Sequence, residues 1–193
     1  MYQTVLREYS FFALLLQIDK DLAAEVREAG CSCGGALHSA CYPRKPRGGP
    51  EGLGPEHAMR LSFCCSVEGC RRRVTPPSLR FLGRKVFFGV LVVVLPVLRE
   101  GPTPQRLCRL AEVFTVSQRT LLRWRRWWRE VVVQSRFWQA MRGSWATPVA
   151  SETLPGALLT AFSGIAEASQ RVLAVLRWLS PLPSGLGLAG NGL

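Results

Sequence analysis

Residues 61–73, "LSFCCSVEGCRRR", place three cysteines within seven positions and follow them with three consecutive arginines. Thiols at this density read either as a disulfide framework or as a metal site, and the redox compartment decides between the two. The N-terminal stretch "MYQTVLREYSFFALLLQIDKDLAAEVREAG" carries an apolar patch at residues 11–16. Arg7 and Glu8 precede the patch, Asp19 and Asp21 follow it, and no small-residue cleavage site comes after, so it does not read as a secretory signal. Seven cysteines is an odd number, which a closed set of disulfides cannot use up. The chain is therefore expected in a reducing, cytoplasmic setting, with thiols free to bind metal.

Upstream stands "CSCGGALHSACYPRKPRGGPEGLGPEHAMR", residues 31–60, so the cysteines fall into two groups, Cys31 with Cys33 and Cys64, Cys65 with Cys70. Two tight turns that each supply a pair of thiolates are what a zinc ribbon needs for tetrahedral coordination, and Gly34 and Gly35 let the chain curl around the first pair. "MRLSF" reads as a strand leading into the second turn. Successive strand side chains point to opposite faces, so Cys64 and Cys65 do not both reach one ion. Cys65 with Cys70 is the preferred pair and Cys64 the alternative. The first pair is C-x-C and the second C-x4-C, both off the commoner C-x-x-C. Cys41, His38 and His57 are substitute donors, with both histidines reading as loop or surface residues, and Cys108 reads as core. A structural zinc would hold Arg71, Arg72 and Arg73 on a fixed turn, with Arg44, Lys45 and Arg47 of "YPRKPRGGP" as a second basic edge, suited to a minor groove or to plain solvation.

Charge is unevenly placed. Residues 31–129 hold 18 Lys+Arg against 5 acidic residues, whereas the flanks hold 7 against 8. Such segregation points to a polyanionic partner, most often nucleic acid. The other hydrophobic run, residues 86–98, spans 13 positions, short of the roughly 20 a membrane helix requires, and reads as buried core. In the N-terminal stretch, Phe11, Phe12, Leu15, Ile18, Leu22 and Val26 stripe one face of a helix that Gly30 can end.

After "TPP" at 75–77 the pattern turns helical. "LAEVFTVSQRTLLRWRRWW", residues 110–128, fits a helix-turn-helix. Ala111 takes the close contact, Leu110, Phe114, Val116, Leu121 and Trp124 fill the apolar offsets, and Ser117 is positioned to cap the second helix. Thr115 stands where Gly is commonest. At 100° per residue, Leu121, Trp124 and Trp128 fall on one side and Arg119, Arg123, Arg126 and Arg129 on the other. Gln118, Arg119, Leu122 and Arg123 occupy the half that meets base edges, while Arg126 and Arg129 suit phosphate. Trp127 and Trp138 read as core, with base stacking as the alternative.

These residues, in the order C-x-C-G-G-x-L-H, Y-P-R-K-P-R-G, R-x-S-F-C-C-x4-C-R-R-R and T-P-P-S-x-R-F-L-G-R-K-V followed by T-L-L-R-W-R-R-W-W, resemble small bacterial insertion-sequence-associated, transposase-like proteins. More distantly, they are similar to the zinc ribbon and helix-turn-helix that open insertion-sequence transposases. The resemblance spans residues 20–145. It implies zinc on Cys31, Cys33, Cys65 and Cys70, and DNA contact from the helix carrying Arg119 and Arg123. It does not extend to catalysis: carboxylate transposases use three acidic residues around two metal ions, and after Trp128 the chain offers only Glu130, Glu152 and Glu167.

The expected protein is α+β. An N-terminal helix (1–30) precedes a zinc ribbon with a basic loop (31–83), a helix-turn-helix bundle (84–145), and a C-terminal segment (146–193) that holds one amphipathic helix over residues 154–179 and then a flexible tail. The expected function is non-enzymatic, zinc-dependent binding of double-stranded DNA for a bacterial mobile element, beside a separate transposase or as a regulator, at the nucleoid and without a membrane. The alternatives are a truncated transposase or nuclease remnant and an RNA-binding or scaffolding zinc protein.

Overall fold

The structure, a computed structural model, describes residues 2–83, 85–99, 114, 116–145 and 148–180. A short helix α1 (Tyr2–Val5) leads into α2 (Tyr9–Ala29), which ends at Gly30, whose φ of 71° lies in the left-handed region. Along α2, Phe11, Phe12, Leu15, Leu16 and Ala23 are buried, with Ile18, Leu22 and Val26 packed at the margins of the cores. The period-3.6 stripe read from the sequence is thus the buried face.

Five short strands follow: β1 (Leu37–Ser39), β2 (Tyr42–Pro43), β3 (Met59–Arg60), β4 (Phe63–Cys65) and β5 (Arg73–Val74). They form an antiparallel three-stranded sheet in the order β1-β4-β5 and a separate antiparallel pair, β2-β3. The register sets Leu37 opposite Cys65 and His38 opposite Cys64. "MRLSF" is therefore not one strand: it divides between β3 and β4 and so joins the two sheets. The small core here is Ala23, Cys31, Leu37, Phe63 and Cys65. So few apolar side chains bury too little surface to hold a segment of this length without a further constraint.

The main core is helical. It assembles around α3 (Gly89–Arg99), in which Val90 to Leu95 are each no more than 2% exposed. A helix apolar on all sides belongs at a centre, as here. Pro96 lies inside it and has no N–H, so the carbonyl of Val92, four residues back, loses its helical donor. The indole N–H of Trp128 fills that gap, donating to the Val92 oxygen at 3.0 Å. Around α3 pack α4 (Gln118–Arg126), a π-helical continuation (Trp127–Val132), α5 (Arg136–Met141), α6 (Gly156–Ala161) and α7 (Ala168–Leu179). Trp127 and Trp138 are each 1% exposed, which places both in the core and not on a stacking surface. The sequence reads 154–179 as one amphipathic helix; the structure splits it at 162–167, across Ser163 and Gly164. The two pieces bury Leu158, Leu159, Val172, Leu173, Leu176 and Leu179 in the same core as Val5 and Leu6. Among the described residues no helix is long and apolar enough to cross a membrane.

A buried polar link ties α2 to the segment after the sheet. Asp19 breaks the apolar face of α2, and its carboxylate accepts from Ser78 Oγ (2.5 Å), the Leu79 amide (2.6 Å) and Arg80 Nε (2.8 Å). Arg80 in turn donates to the carbonyls of Glu56, His57 and Met59. Both side chains of the ion pair are fully buried. A pair with no access to water survives only when its remaining donors and acceptors are satisfied, as they are here.

Candidate metal centre and nucleic-acid interface

Two tight turns face each other at one end of the small sheet. In the first, the Cys31 amide donates to the Gly35 carbonyl (2.9 Å) and the Gly34 amide to the Cys31 carbonyl (2.8 Å), folding "CSCGG" onto itself. In the second, the amides of Cys70 and Arg71 both reach the Val67 carbonyl, at 3.2 and 3.1 Å. Arg71 is held at φ 40°, in the left-handed region uncommon for a side chain with a Cβ. The Ser66 amide, donating to the Ala36 carbonyl at 2.9 Å, fastens one turn to the other.

The sulfurs of Cys31, Cys33, Cys65 and Cys70 all lie within 4.8 Å of one another, an arrangement that can hold a metal ion. Cys33 and Cys65 stand 3.4 Å apart, and Cys31 and Cys70 3.8 Å. With a metal–sulfur bond of about 2.3 Å, a tetrahedral site has sulfur–sulfur edges of about 3.8 Å, so the cluster is close to the size a tetrahedral ion requires. Gly35 forms its wall: a Cβ there would come within 2.6 Å of Val67 Cγ2 and 2.8 Å of Cys65 Sγ. Cys65, not Cys64, joins the cluster; Cys64 points the other way and contacts the Arg71 carbonyl. Cys41 lies apart, near Ser39 and the Ser62 carbonyl.

The sulfurs do not titrate alike. The Cys33 amide aimed at Cys31 is the chief cause that brings its thiol down to about 7. The Val67 amide favours a thiolate at Cys65, but burial and the sulfurs of Cys33, Cys31 and Cys70 outweigh it and push that thiol up to about 12. Cys70 is raised as well: the Arg72 amide favours its thiolate and is outweighed by the Cys33 sulfur, burial and the Cys31 sulfur. One negative charge forms easily and further ones are opposed, until a cation neutralises them.

Neither histidine belongs to this cluster. His38 is exposed on β1. His57 is 2% exposed, not the loop or surface residue expected, and lies against the Tyr9 ring. Burial holds its imidazole below the usual range, with Glu56 opposing and Arg80 and Lys20 assisting.

The basic residues fall into distinct settings. Arg71, Arg72 and Arg73 are exposed beside the sulfur cluster, with Arg72 donating to Ser32 Oγ (2.7 Å) and the Arg73 guanidinium over the Tyr42 ring. In the loop, Lys45 and Arg47 are exposed. Arg44 instead turns inward, donating to the carbonyls of Gly83 and Lys85 and resting over Phe81. Both bonds hold the loop in place.

Helix α4 begins where expected: Ser117 Oγ accepts from the Thr120 amide at 3.3 Å. Its inner face buries Leu121 and Trp124, joined by Trp128 in the continuation, while Gln118, Arg119, Leu122 and Arg123 are exposed. Arg126 is exposed and pairs with Glu130 at 2.6 Å, which lowers its value to an anion; Arg129 is exposed. Phe114 and Val116 are buried. Leu110, Ala111 and Thr115, the close contact and turn expected of a helix-turn-helix, lie outside the described residues, as do Cys108 and the tail 181–193.

The sequence reading does not nominate the Asp19–Arg80 pair, although an acid on the same helical face as Phe12, Leu15 and Ala23 is a usable signal. Comparison of the chain with protein-family models, curated proteins and solved structures finds no match.

Proposed function

We propose that the protein binds double-stranded DNA in a sequence-directed way, with α4 as the reading element and a zinc ion on Cys31, Cys33, Cys65 and Cys70 as a structural fastener. The observation that carries this reading is the division of α4: a capped helix whose inner face is locked by Leu121 and Trp124 and whose outer face offers Gln118, Arg119 and Arg123 to solvent. Arginine and glutamine at the first turns of a rigid helix match the donor and acceptor edges of the major groove. Arg71, Arg72 and Arg73, anchored beside the metal, suit phosphate contacts that set register without reading bases. Zinc is the favoured ion because four thiolates in a closed tetrahedron are its preferred structural ligand set.

The resemblance to insertion-sequence-associated proteins supports a place in a mobile element, as accessory or regulator of a separate transposase. We assign the chain no strand-cleaving role of its own. Two measurements test the reading. The purified chain carries about one equivalent of zinc, lost in Cys33→Ser and Cys70→Ser and kept in Cys41→Ser and Cys64→Ser. It also binds duplex DNA more tightly than single-stranded RNA at matched salt; the reverse order favours the RNA-binding alternative, and cleavage of DNA with Mg or Mn favours the nuclease remnant.

A further inference from the structure

Lys85 lies where the basic loop meets α4. The Arg44 guanidinium grips its carbonyl at 2.9 Å. The neighbouring backbone pairs with the loop, the Arg47 amide donating to the Val86 carbonyl and the Phe88 amide to the Arg47 carbonyl. From the other side, Phe87 meets the Trp124 ring edge-on at 5.1 Å, and Lys85 Nζ stands 4.4 Å from the centre of the Trp127 ring. Among the described residues, Lys85 Nζ has no hydrogen-bond acceptor and no ion pair, and Arg123 of α4 is the charge that acts on it, repulsively. The ammonium is half-buried over an aromatic ring that stands one helical turn beyond Arg123, and among the described residues it has no anion.

We propose that Lys85 and Arg123 form a seat for one backbone phosphate of bound DNA, which joins the basic loop and α4 on a single polyanion. This rests on the DNA-binding reading above, to which it adds a contact that the sequence did not nominate. A phosphate between the two cations supplies the missing acceptor and offsets their repulsion. Proton linkage follows. Burial, then Arg123, brings Lys85 down to about 8 in the free protein. A bound phosphate favours the ammonium, so affinity is full below that value and falls as pH rises through it. The charge that acts on Lys85 is Arg123 of α4, and from the loop the Arg44 guanidinium bonds the Lys85 carbonyl; neither titrates in this range.

The chain has three lysines, Lys20, Lys45 and Lys85, so amine-reactive labelling followed by mass spectrometry reads each one separately. Saturating random-sequence duplex and millimolar inorganic pyrophosphate are both expected to suppress labelling of Lys85 while sparing Lys20 on the exposed side of α2. Arg123→Ala is expected to abolish protection by pyrophosphate. Duplex affinity is expected to drop about tenfold between roughly pH 7 and 9 in the wild type and to stay level in Lys85→Arg. Lys85→Ala lowers the salt slope by about one unit. Protection by pyrophosphate alone, with no duplex binding, upholds the seat and overturns the DNA reading. Unchanged Lys85 labelling under both probes overturns the seat whatever α4 does with bases, and leaves the lysine as packing for Trp127.

Discussion

Replacing Asp19 with Asn keeps the size of the side chain and removes the charge that holds Arg80. Both side chains of this pair are fully buried, so water cannot substitute for the lost carboxylate. The amide oxygen, in the place of Oδ1, keeps the Leu79 N–H, but Ser78 Oγ and Arg80 Nε, which both donate to Oδ2, now face an NH2 that cannot accept. Breaking one partner of a buried pair costs about 3–5 kcal/mol. Arg80 keeps its bonds to the carbonyls of Glu56, His57 and Met59, which places the loss near the lower figure. About 3 kcal/mol is a large share of the roughly 5–15 kcal/mol that holds a typical domain, and for a chain of this length it lowers the melting temperature by roughly 6–12 °C. Urea unfolding followed by tryptophan fluorescence, with zinc in excess so that metal loss does not intrude, measures it. Pairing Asp19→Asn with Arg80→Met is expected to cost less than the sum of the single losses by about 2 kcal/mol, since each removes the other's unpaired charge. A single Asp19→Asn loss under about 1 kcal/mol, or strict additivity, refutes the claim that this pair ties α2 to the segment after the sheet.

Three further outcomes follow from particular contacts. Gly35→Ala drives a Cβ into Val67 and the Cys65 sulfur, and is expected to weaken zinc binding in a chelator competition by roughly 10–100-fold, whereas Cys41→Ser leaves it unchanged. Trp128→Phe leaves the Val92 carbonyl without a donor and is expected to cost about 1–3 kcal/mol; adding Pro96→Ala restores a helical N–H to that carbonyl and recovers part of the loss. Burial lowers the His57 pKa, so the folded chain resists protonation that the unfolded chain accepts. Stability is therefore whole above about pH 6.5 and declines below it by up to about 1.4 kcal/mol per unit, and His57→Gln flattens that decline in a pH series of urea midpoints.

Local chemistry was legible in the sequence, and contacts between distant segments were not. Strand alternation separates Cys65 from Cys64, a short polar side chain before an apolar-periodic run identifies Ser117 as a cap, and the 100° progression separates Trp124 and Trp128 from Arg119 and Arg123. Each of those rules acts within a few residues. Asp19 and Arg80 stand 61 positions apart, and nothing in either neighbourhood names the other. The inward turn of Arg44 depends on carbonyls 39 and 41 residues away. His57 is buried because a ring of α2 and the Arg80 network close over it, which composition does not encode. The break within 154–179 had a signal, Ser163-Gly164, but the apolar positions on both sides keep a helical period through it and mask the turn.

Selection from random duplexes tests the central claim most directly, first with the zinc-loaded wild type and then with Gln118→Ala and Arg119→Ala on the enriched site. A shared motif is expected to emerge, and each substitution is expected to cost about 1–3 kcal/mol on it and to relax preference at one base pair. Enrichment of no motif, together with variants that bind every duplex as the wild type does, would contradict the account and leave α4 a bundle helix with a solvated basic face.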